Sequence, residues 1–377
     1  MEGRTQSSGI RRNHDLLERY PPWIACGART LDGHTSGRER GLHRNAVLHA
    51  SAARMRRFGV FAAGADAGCV FAANRVRRDV RCNGFGFGRP LGSLEGERTQ
   101  LSDGHGVAVG ADGTTYVLDG LPVHLQVFPP GATGNVAPAR TVPLPSSLQP
   151  EYTSNLALDG RGNFWIADKI GARLLRFALS STSAKPNAAI SPQVATQQGI
   201  KPARVAGMGM DGHGDVYCSC SYVDRGNATY GVSQYRQSKG AWKLVRSFYS
   251  HALPELPPDL VAIDGSGNIY LASPVNTIGS FGNGVFVFAA DTRSGNASAV
   301  RVVRSGDLHI GFISTIAIDA SGNLFVGYET DDIKSPTSHI ATFAPDAGSN
   351  AKPLRLLEDK TNLHYGAGIY GNLLIAR

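Results

Sequence analysis

The chain is predicted to be all-β: a six-bladed β-propeller of four-stranded antiparallel blades, closed by strands from before residue 101. Three observations predict it. A short motif recurs six times from residue 101 onward. Each recurrence sets two apolar runs on either side of a turn rich in Asp, Gly and Asn, the pattern of a β-hairpin. The composition, 46 glycines in 377 residues with 42% apolar and only 18% charged, suits short strands and turns better than charged helices.

The units read GVAVGADGTTYVLD, NLALDGRGNFWIAD, GMGMDGHGDVYCSC, LVAIDGSGNIYLAS, TIAIDASGNLFVGY and a shortened GAGIYGNLLIAR. The glycine before the second run falls at Gly113, Gly162, Gly214, Gly267, Gly322 and Gly371, in steps of 49, 52, 53, 55 and 49 residues. The first run, such as Val261 to Ile263, is small and apolar, as strands crowded round a central axis require. The second, such as Ile269 to Ala272, is richer in aromatic and β-branched residues. A third run follows in VHLQVF, RLLRFAL, GVSQYRQ, GVFVFAA and HIATFAP. A fourth follows in ARTVPL, WKLVRSF, AVRVVRS and PLRLLED, with the second repeat's fourth strand expected near Val194. Four strands in each period near 50 residues make a propeller blade.

The DxxGN turn is expected to be structural. Its Asp accepts backbone N–H bonds across the turn, Gly takes positive φ and Asn tolerates a left-handed conformation. A calcium loop would need more carboxylates at alternate positions than Asp159, Asp211, Asp264 and Asp319 supply.

The sixth unit stops after its second strand, at NLLIAR. An open edge there is a liability, so its outer strands are expected from residues 58–95. RFGVFAAGADAG, Arg57 to Gly68, is similar to GVFVFAADTRSG, and NRVRRDVR, Asn74 to Arg81, is the candidate fourth strand. The propeller then spans 58–377, with 58–95 closing and 101–377 repeating. Residues 1–57 read as a basic non-globular segment, or as translation from a start upstream of the true one. A competing reading starts at Met55, where MRRFGVFAAGADAGC resembles a lipoprotein signal ending at Cys69. Cleavage there would remove the first closing strand.

The net charge of +8 belongs to the first hundred residues, which hold 17 Arg, no Lys and 9 acids. Residues 101–377 hold 21 bases and 21 acids, so the propeller offers no electrostatic footprint for nucleic acid. No apolar run is long enough for a transmembrane helix. A monomer is expected, secreted or in the cell envelope, with a cytoplasmic location left open.

The units AIDGSGNIYLAS with GVFVFAA, and LALDGRGNFWIAD with RLLRFAL, resemble NHL-type propeller repeats. They are also similar to repeats of the streptogramin lyase and SMP-30/gluconolactonase groups. The connector VFPPGATGNVAPARTV resembles a linker of bacterial extracellular NHL-like proteins. The resemblance covers residues 101–377 and implies the propeller; it does not choose between binding protein and enzyme.

Ligands of a propeller meet the loops at one mouth of its channel, so residues entering the inner strand or leaving the second are the candidates. The first group is His105, Ser154, Asn155, Arg204, Asp259, Thr315, His364 and Tyr365; the second is Asp119, Asp168, Lys169, Tyr328 and Glu329. The expected role is binding a protein, small molecule or glycan, with no cofactor. The alternative that the resemblance implies is a metal-assisted lyase or lactone hydrolase. A lactonase of that type implies a calcium or magnesium ion held by Glu, Asn and Asp; Asn155 and Asp259 match two, and the early Glu has no counterpart. A lyase implies a channel histidine, for which His105 and His364 are the candidates.

Cys218 and Cys220 lie two apart on a strand, where a mutual disulfide is geometrically poor, so buried thiols are expected. Asn227 and Asn296 stand in glycosylation triplets. No GxSxG elbow accompanies the scattered Ser, His and Asp residues.

Overall fold

The computed structural model describes residues 59–60, 70–71, 73–74, 94, 96–102, 104, 106–149, 153–224, 227–253, 258–272, 284–330, 337–359 and 374–375. They form an all-β propeller. Three two-residue strands come first: β1 (Gly59–Val60), β2 (Val70–Phe71) and β3 (Ala73–Asn74). Blade 1 holds β4 (Gly106–Val109), β5 (Thr115–Asp119), β6 (His124–Phe128) and β7 (Arg140–Pro143). Blade 2 holds β8 (Thr153–Leu158), β9 (Asn163–Asp168), β10 (Arg173–Ala178) and β11 (Ala188–Ile190), followed by a separate hairpin of β12 (Gln193–Thr196) and β13 (Gly199–Pro202). In blade 3, β14 (Arg204–Met210), β15 (Val216–Asp224), β16 (Asn227–Ser238) and β17 (Ala241–Tyr249) are longer than their counterparts. Blade 4 comprises β18 (Leu260–Ile263), β19 (Ile269–Ala272), β20 (Val285–Phe288) and β22 (Arg301–Val303), with β21 (Gly295–Asn296) between the last two. β23 (Ile310–Ile318), β24 (Leu324–Thr330), β25 (Ser338–Phe343) and β26 (Arg355–Asp359) make blade 5, and β27 (Leu374–Ile375) ends the chain's described part.

Of the six four-stranded blades expected, the described residues complete five. Among the described residues there are five blade sheets, each built on a four-stranded antiparallel up-and-down meander and the third extended by β21 in parallel, together with the two-stranded pairs β1–β3, β12–β13 and β2–β27. The strand beside Leu374–Ile375 is Val70–Phe71 rather than part of 57–68; Gly59–Val60 pairs instead with Ala73–Asn74. The reason lies in the sequence itself: Val-Phe-Ala-Ala occurs at both 60–63 and 70–73, so strand propensity alone does not choose between them. A second correction concerns blade 2, whose fourth strand is Ala188–Ile190, while Val194 belongs to the added hairpin and is buried against blade 3.

The turns behave as their chemistry requires. Asp264 Oδ1 accepts the N–H groups of Ser266 and Asn268, each at 2.9 Å, and its Oδ2 accepts the Asn268 amide at 2.8 Å. Asp159 and Asp319 repeat all three bonds within 2.7–3.0 Å, and Asp211 repeats the two backbone ones. The glycine at the fourth position has φ of 81–86° in these four turns, which only glycine adopts without strain. Each carboxylate is thus consumed by its own hairpin.

Burial is arranged between blades. One cluster of buried side chains joins blades 1 and 2 through Leu118, Leu125, Phe164 and Phe177, and others join blades 2 to 3, 3 to 4 and 4 to 5. A further cluster places Leu94 against Val107, Val117 and Phe128, on the face of blade 1 that blade 2 leaves free. The inner strands approach closely because they are small: a Cβ on Gly207 would lie 1.9 Å from the Asp259 carbonyl oxygen of blade 4.

Adjacent blades are also stitched at their rims. β21 pairs in parallel with the end of β17, so the connector of blade 4 joins the outer strand of blade 3. Arg304, just after β22, repeats the join with Gly348 and Ala351 of blade 5. Leu94 makes the same kind of parallel bridge to Gly134 in the connector of blade 1. One further correction applies in blade 3, where Cys218 and Cys220 are joined as a disulfide with their Cα atoms 5.7 Å apart. The β14–β15 ladder shifts register beside them, between Val205 and Gly207.

Candidate functional site at the channel mouth

In each blade the start of the inner strand, the end of the second strand and the turn into the third share one end of the propeller, opposite the DxxGN hairpins. The expected candidates therefore share one mouth by topology. The structure then separates them by what their side chains do.

Asp119 is fully buried, and its two oxygens accept the Ser102 N–H at 3.1 and 3.0 Å. It ties the segment entering β4 to the end of β5. Asp168, also buried, accepts the Gly171 N–H at 2.8 Å and Arg173 Nη2 at 2.9 Å, closing the β9–β10 turn. Both carboxylates are turn anchors. Asn155 is buried at φ 59°, inside a bulge between Ser154 and Ala157 of β8. Comparable register shifts interrupt the inner strands β14 and β23, in β23 between Ile313 and the buried Thr315. Bulges at these positions bend the strand where it enters the channel and re-aim the side chains there.

One pair of candidates is brought together. Lys169 Nζ, in the β9–β10 turn of blade 2, lies 2.8 Å from Asp259 Oδ2, just before β18 of blade 4. Blade 3 stands between them in sequence, so the ion pair clasps non-consecutive blades. Burial pushes the Asp259 carboxyl up from the usual carboxylate range, and the neighbouring Lys169 ammonium pulls it back. The backbone below is fixed as well: Pro258 accepts a hydrogen bond from Ser219 Oγ, and the Asp259 carbonyl occupies the space that Gly207 leaves.

The remaining candidates stand apart from this pair. Arg204 is exposed at the start of β14. Tyr328 is buried and stacked on His339, with ring centroids 5.2 Å apart. Glu329, at the end of β24, is half-buried, and desolvation raises its pKa. His105, His364 and Tyr365 lie outside the described residues, as do side-chain details of Ser154. Among the described residues, no three His, Cys, Asp or Glu side chains gather as ligands for one ion.

No protein-family model matches the chain, and no curated protein does. Solved structures are similar to it. A protein of unknown function from Bacteroides caccae is 10% identical, with a TM-score of 0.48 over 85% of this chain and 99% of that one. A presumed 6-phosphogluconolactonase from Bacteroides uniformis is 11% identical, with a TM-score of 0.48 over 81% of this chain and 84% of that one. A presumed exported protein from Bacteroides fragilis is 12% identical, with a TM-score of 0.38 over 71% and 73% of the two chains. The fold assignment rests on the sheet topology described above. Among the described residues, no helix is long and apolar enough to cross a membrane.

Sequence reasoning missed the apolar part of this mouth. Leu121 and Ile170 project from the turns between second and third strands of blades 1 and 2, Val223 from the equivalent hairpin of blade 3, and Ile200 from β13, all exposed. The available signal was an aliphatic residue standing in turns otherwise built from Asp, Gly, Lys and Pro.

Proposed function

We propose that the protein is a six-bladed, NHL-like binding propeller, secreted or held in the cell envelope, which takes a protein, small molecule or glycan at this mouth. The sixth blade in this reading is completed from residues 58–95, with residues before 58 outside the domain. Support for closure comes from three places. Leu94 joins the connector of blade 1 by a parallel bridge, as the outer strand of blade 3 joins the connector of blade 4. Leu94 also buries blade 1's free face. β27 pairs with β2 and neighbours both β23 and β4, the inner strands of the last and first blades.

The observation that carries the binding reading is the commitment of the mouth's acids. Asp119 and Asp168 hold turns, and Asp259 holds Lys169, so these carboxylates are already partnered within the fold. A group serving as acid, base or metal ligand would have to give up such a bond first. The test is a glycan and peptide array probed with the wild type and with a Lys169→Met/Asp259→Asn variant. Ligands bound by the wild type and lost in the variant support the reading; an array without any hit refutes it.

A second reading is favoured by Glu329. Its raised pKa, at the end of a second strand, is the property of a general acid, as a lactone hydrolase or lyase requires. Calcium or magnesium would be the implied ion, and Asn155 with Asp259 its oxygen donors. That donor set does not fit as it stands, because the Lys169 ammonium already occupies the Asp259 carboxylate at 2.8 Å. Calorimetric titration with both ions after chelator treatment separates the readings: one tight site abolished by Asn155→Ala or Asp259→Ala would put the enzyme first.

A further inference from the structure

Cys218 and Cys220 stand two residues apart on β15, so their side chains share one face of the strand and Ser219 between them faces the other way. The two sulfurs are bonded and fully buried, in the cluster between blades 2 and 3 that also holds Val205, Met208 and Tyr235. Ser219, equally buried, points toward blade 4, where its Oγ donates to the Pro258 carbonyl. Its partner across the ladder, Gly207, faces the backbone of Asp259 beside it. Pro258 is thus held one residue before the carboxylate that meets Lys169 at 2.8 Å.

The bond reshapes the strand beneath that contact. The Cα atoms of Cys218 and Cys220 are 5.7 Å apart, whereas two residues of ordinary strand span about 6.4–6.8 Å. Consecutive Cα atoms keep their spacing of about 3.8 Å, so the shorter base lifts Ser219 roughly 0.5–0.8 Å further out of the strand line than an ordinary pleat would. The lift is toward blade 4 and sets Ser219 against Pro258. As thiols the same two side chains are small apolar groups that suit the same cluster, so the core accommodates either state.

We propose that the Cys218–Cys220 pair is a redox switch for the Lys169–Asp259 ion pair at the channel mouth: oxidised, it holds Ser219 on Pro258 and Asp259 on Lys169, and reduced, it lets both go. A dithiol supplies the two electrons and two protons. One of its thiolates attacks a protein sulfur, the S–S bond breaks to a mixed disulfide, and its second sulfur displaces the protein thiol as the reductant closes into a cyclic disulfide. Both protein sulfurs are buried, so exchange passes through local opening of β15, next to the point where the β14–β15 ladder shifts register between Val205 and Gly207. The reduced state gives the mouth a separate ammonium and carboxylate in place of a joined pair. The inference holds whatever ligand the mouth takes.

The test uses the full chain and reads acetylation of Lys169 by an N-hydroxysuccinimide ester, measured by mass spectrometry with exposed Lys243 as the internal reference. Differential alkylation of thiols in the same digests reports the state of Cys218 and Cys220. Across a dithiothreitol titration Lys169 labelling should rise about two- to fivefold as the pair becomes alkylatable, and fall back on reoxidation, with Lys243 unchanged. Ser219→Ala should label at the reduced rate with or without reductant, and Cys218→Ala/Cys220→Ala should do the same. A Lys169 rate that ignores the state of the pair overturns the proposal. So does a pair that stays oxidised in the folded chain at every dithiothreitol concentration, or one recovered as thiols after incubation with oxidised glutathione. A redox response undiminished in Ser219→Ala overturns it as well, because the signal would then bypass Pro258. Loss of the circular dichroism of the fold on reduction counts against it, since the switch is local. Should either variant fail to fold, the wild-type titration decides alone.

Discussion

Gly207 is the most demanding position in the inner ring. A Cβ placed there would lie 1.9 Å from the Asp259 carbonyl oxygen, 2.6 Å from its carbon and 3.1 Å from its Cα. All three atoms are backbone, so no side-chain rotamer relieves the clash. β14 and β18 must separate by ~1 Å before any methyl fits, in a core packed like an organic crystal. Overpacking of this kind costs about 1–3 kcal/mol and sometimes more. Gly207→Ala is expected at or above the upper end, about 3 kcal/mol, because the displaced strand also carries the Lys169–Asp259 clasp. Two neighbouring glycines provide the scale. At Gly209 the nearest atoms are Val261 Cγ1 at 3.0 Å and the Val261 carbonyl oxygen at 3.1 Å, so a few tenths of an ångström suffice and Gly209→Ala should cost about 1 kcal/mol. Gly212 has nothing within 4 Å, and Gly212→Ala should be neutral or stabilising by up to about 1 kcal/mol, since alanine restricts the unfolded chain. Urea unfolding of the three variants beside the wild type reads the order directly. A Gly207→Ala protein within about 0.5 kcal/mol of Gly212→Ala would refute the claim that the Asp259 backbone leading into β18 fills the place of that side chain.

Asp319→Ala removes the acceptor of three hydrogen bonds across the β23–β24 turn and should cost about 1–2 kcal/mol, with Asp319→Asn recovering part of it; chemical denaturation checks both. A double-mutant cycle of Lys169→Met and Asp259→Asn should return a coupling of about 0.5–1 kcal/mol, the range of a half-exposed ion pair, and no coupling would remove the clasp as a feature of the fold. For Glu329 the sign is set by burial. Its folded pKa lies above the unfolded one, so the carboxyl supports the fold below the unfolded pKa, and that support is lost as pH rises through the folded pKa. Glu329→Gln should therefore be more stable than the wild type at neutral pH, with the difference shrinking as pH falls through the carboxylate range. Urea midpoints across that range test it, and a destabilised glutamine variant at neutral pH would show that the carboxylate has a favourable partner.

The hairpins were legible in the sequence because one chemical device recurs: an Asp that accepts across the turn, a glycine at positive φ and, in three turns, an Asn that binds back. Blade count was harder, since closure depends on residues outside the repeat and Val-Phe-Ala-Ala occurs twice within them. The fourth strand of blade 2 was misplaced for a related reason. Val194 has the burial and branching of a strand residue, yet it serves a hairpin inserted between blades, which no repeat register reveals. Nor could spacing show that Cys218 and Cys220 pair, beside a ladder whose register shifts only in three dimensions.

The site was less legible than the fold because position in a blade fixes location and leaves role open. Asp119, Asp168 and Asp259 were nominated by the same rule, two as residues leaving a second strand and one as a residue entering a first. Their fates differ through their neighbours: Ser102 for the first, Gly171 and Arg173 for the second, Lys169 from a distant blade for the third. Gly171 and Arg173 lie three and five residues from Asp168, where sequence reading could have found local donors, whereas Ser102 lies 17 residues from Asp119, across the β4–β5 hairpin. Lys169 is 90 residues from Asp259, and only closure of the ring brings it within reach. Leu121, Ile170 and Val223 stand exposed at the same end, on connections between second and third strands. Blades repeat the inner packing, where every unit faces the same neighbours, and they diverge in the turns at the mouth, where each unit is free to face a partner. The residues exposed among those turns, Leu121 and Ile170 with them, are therefore positions at which substitution can change what the mouth binds while leaving the inner packing in place.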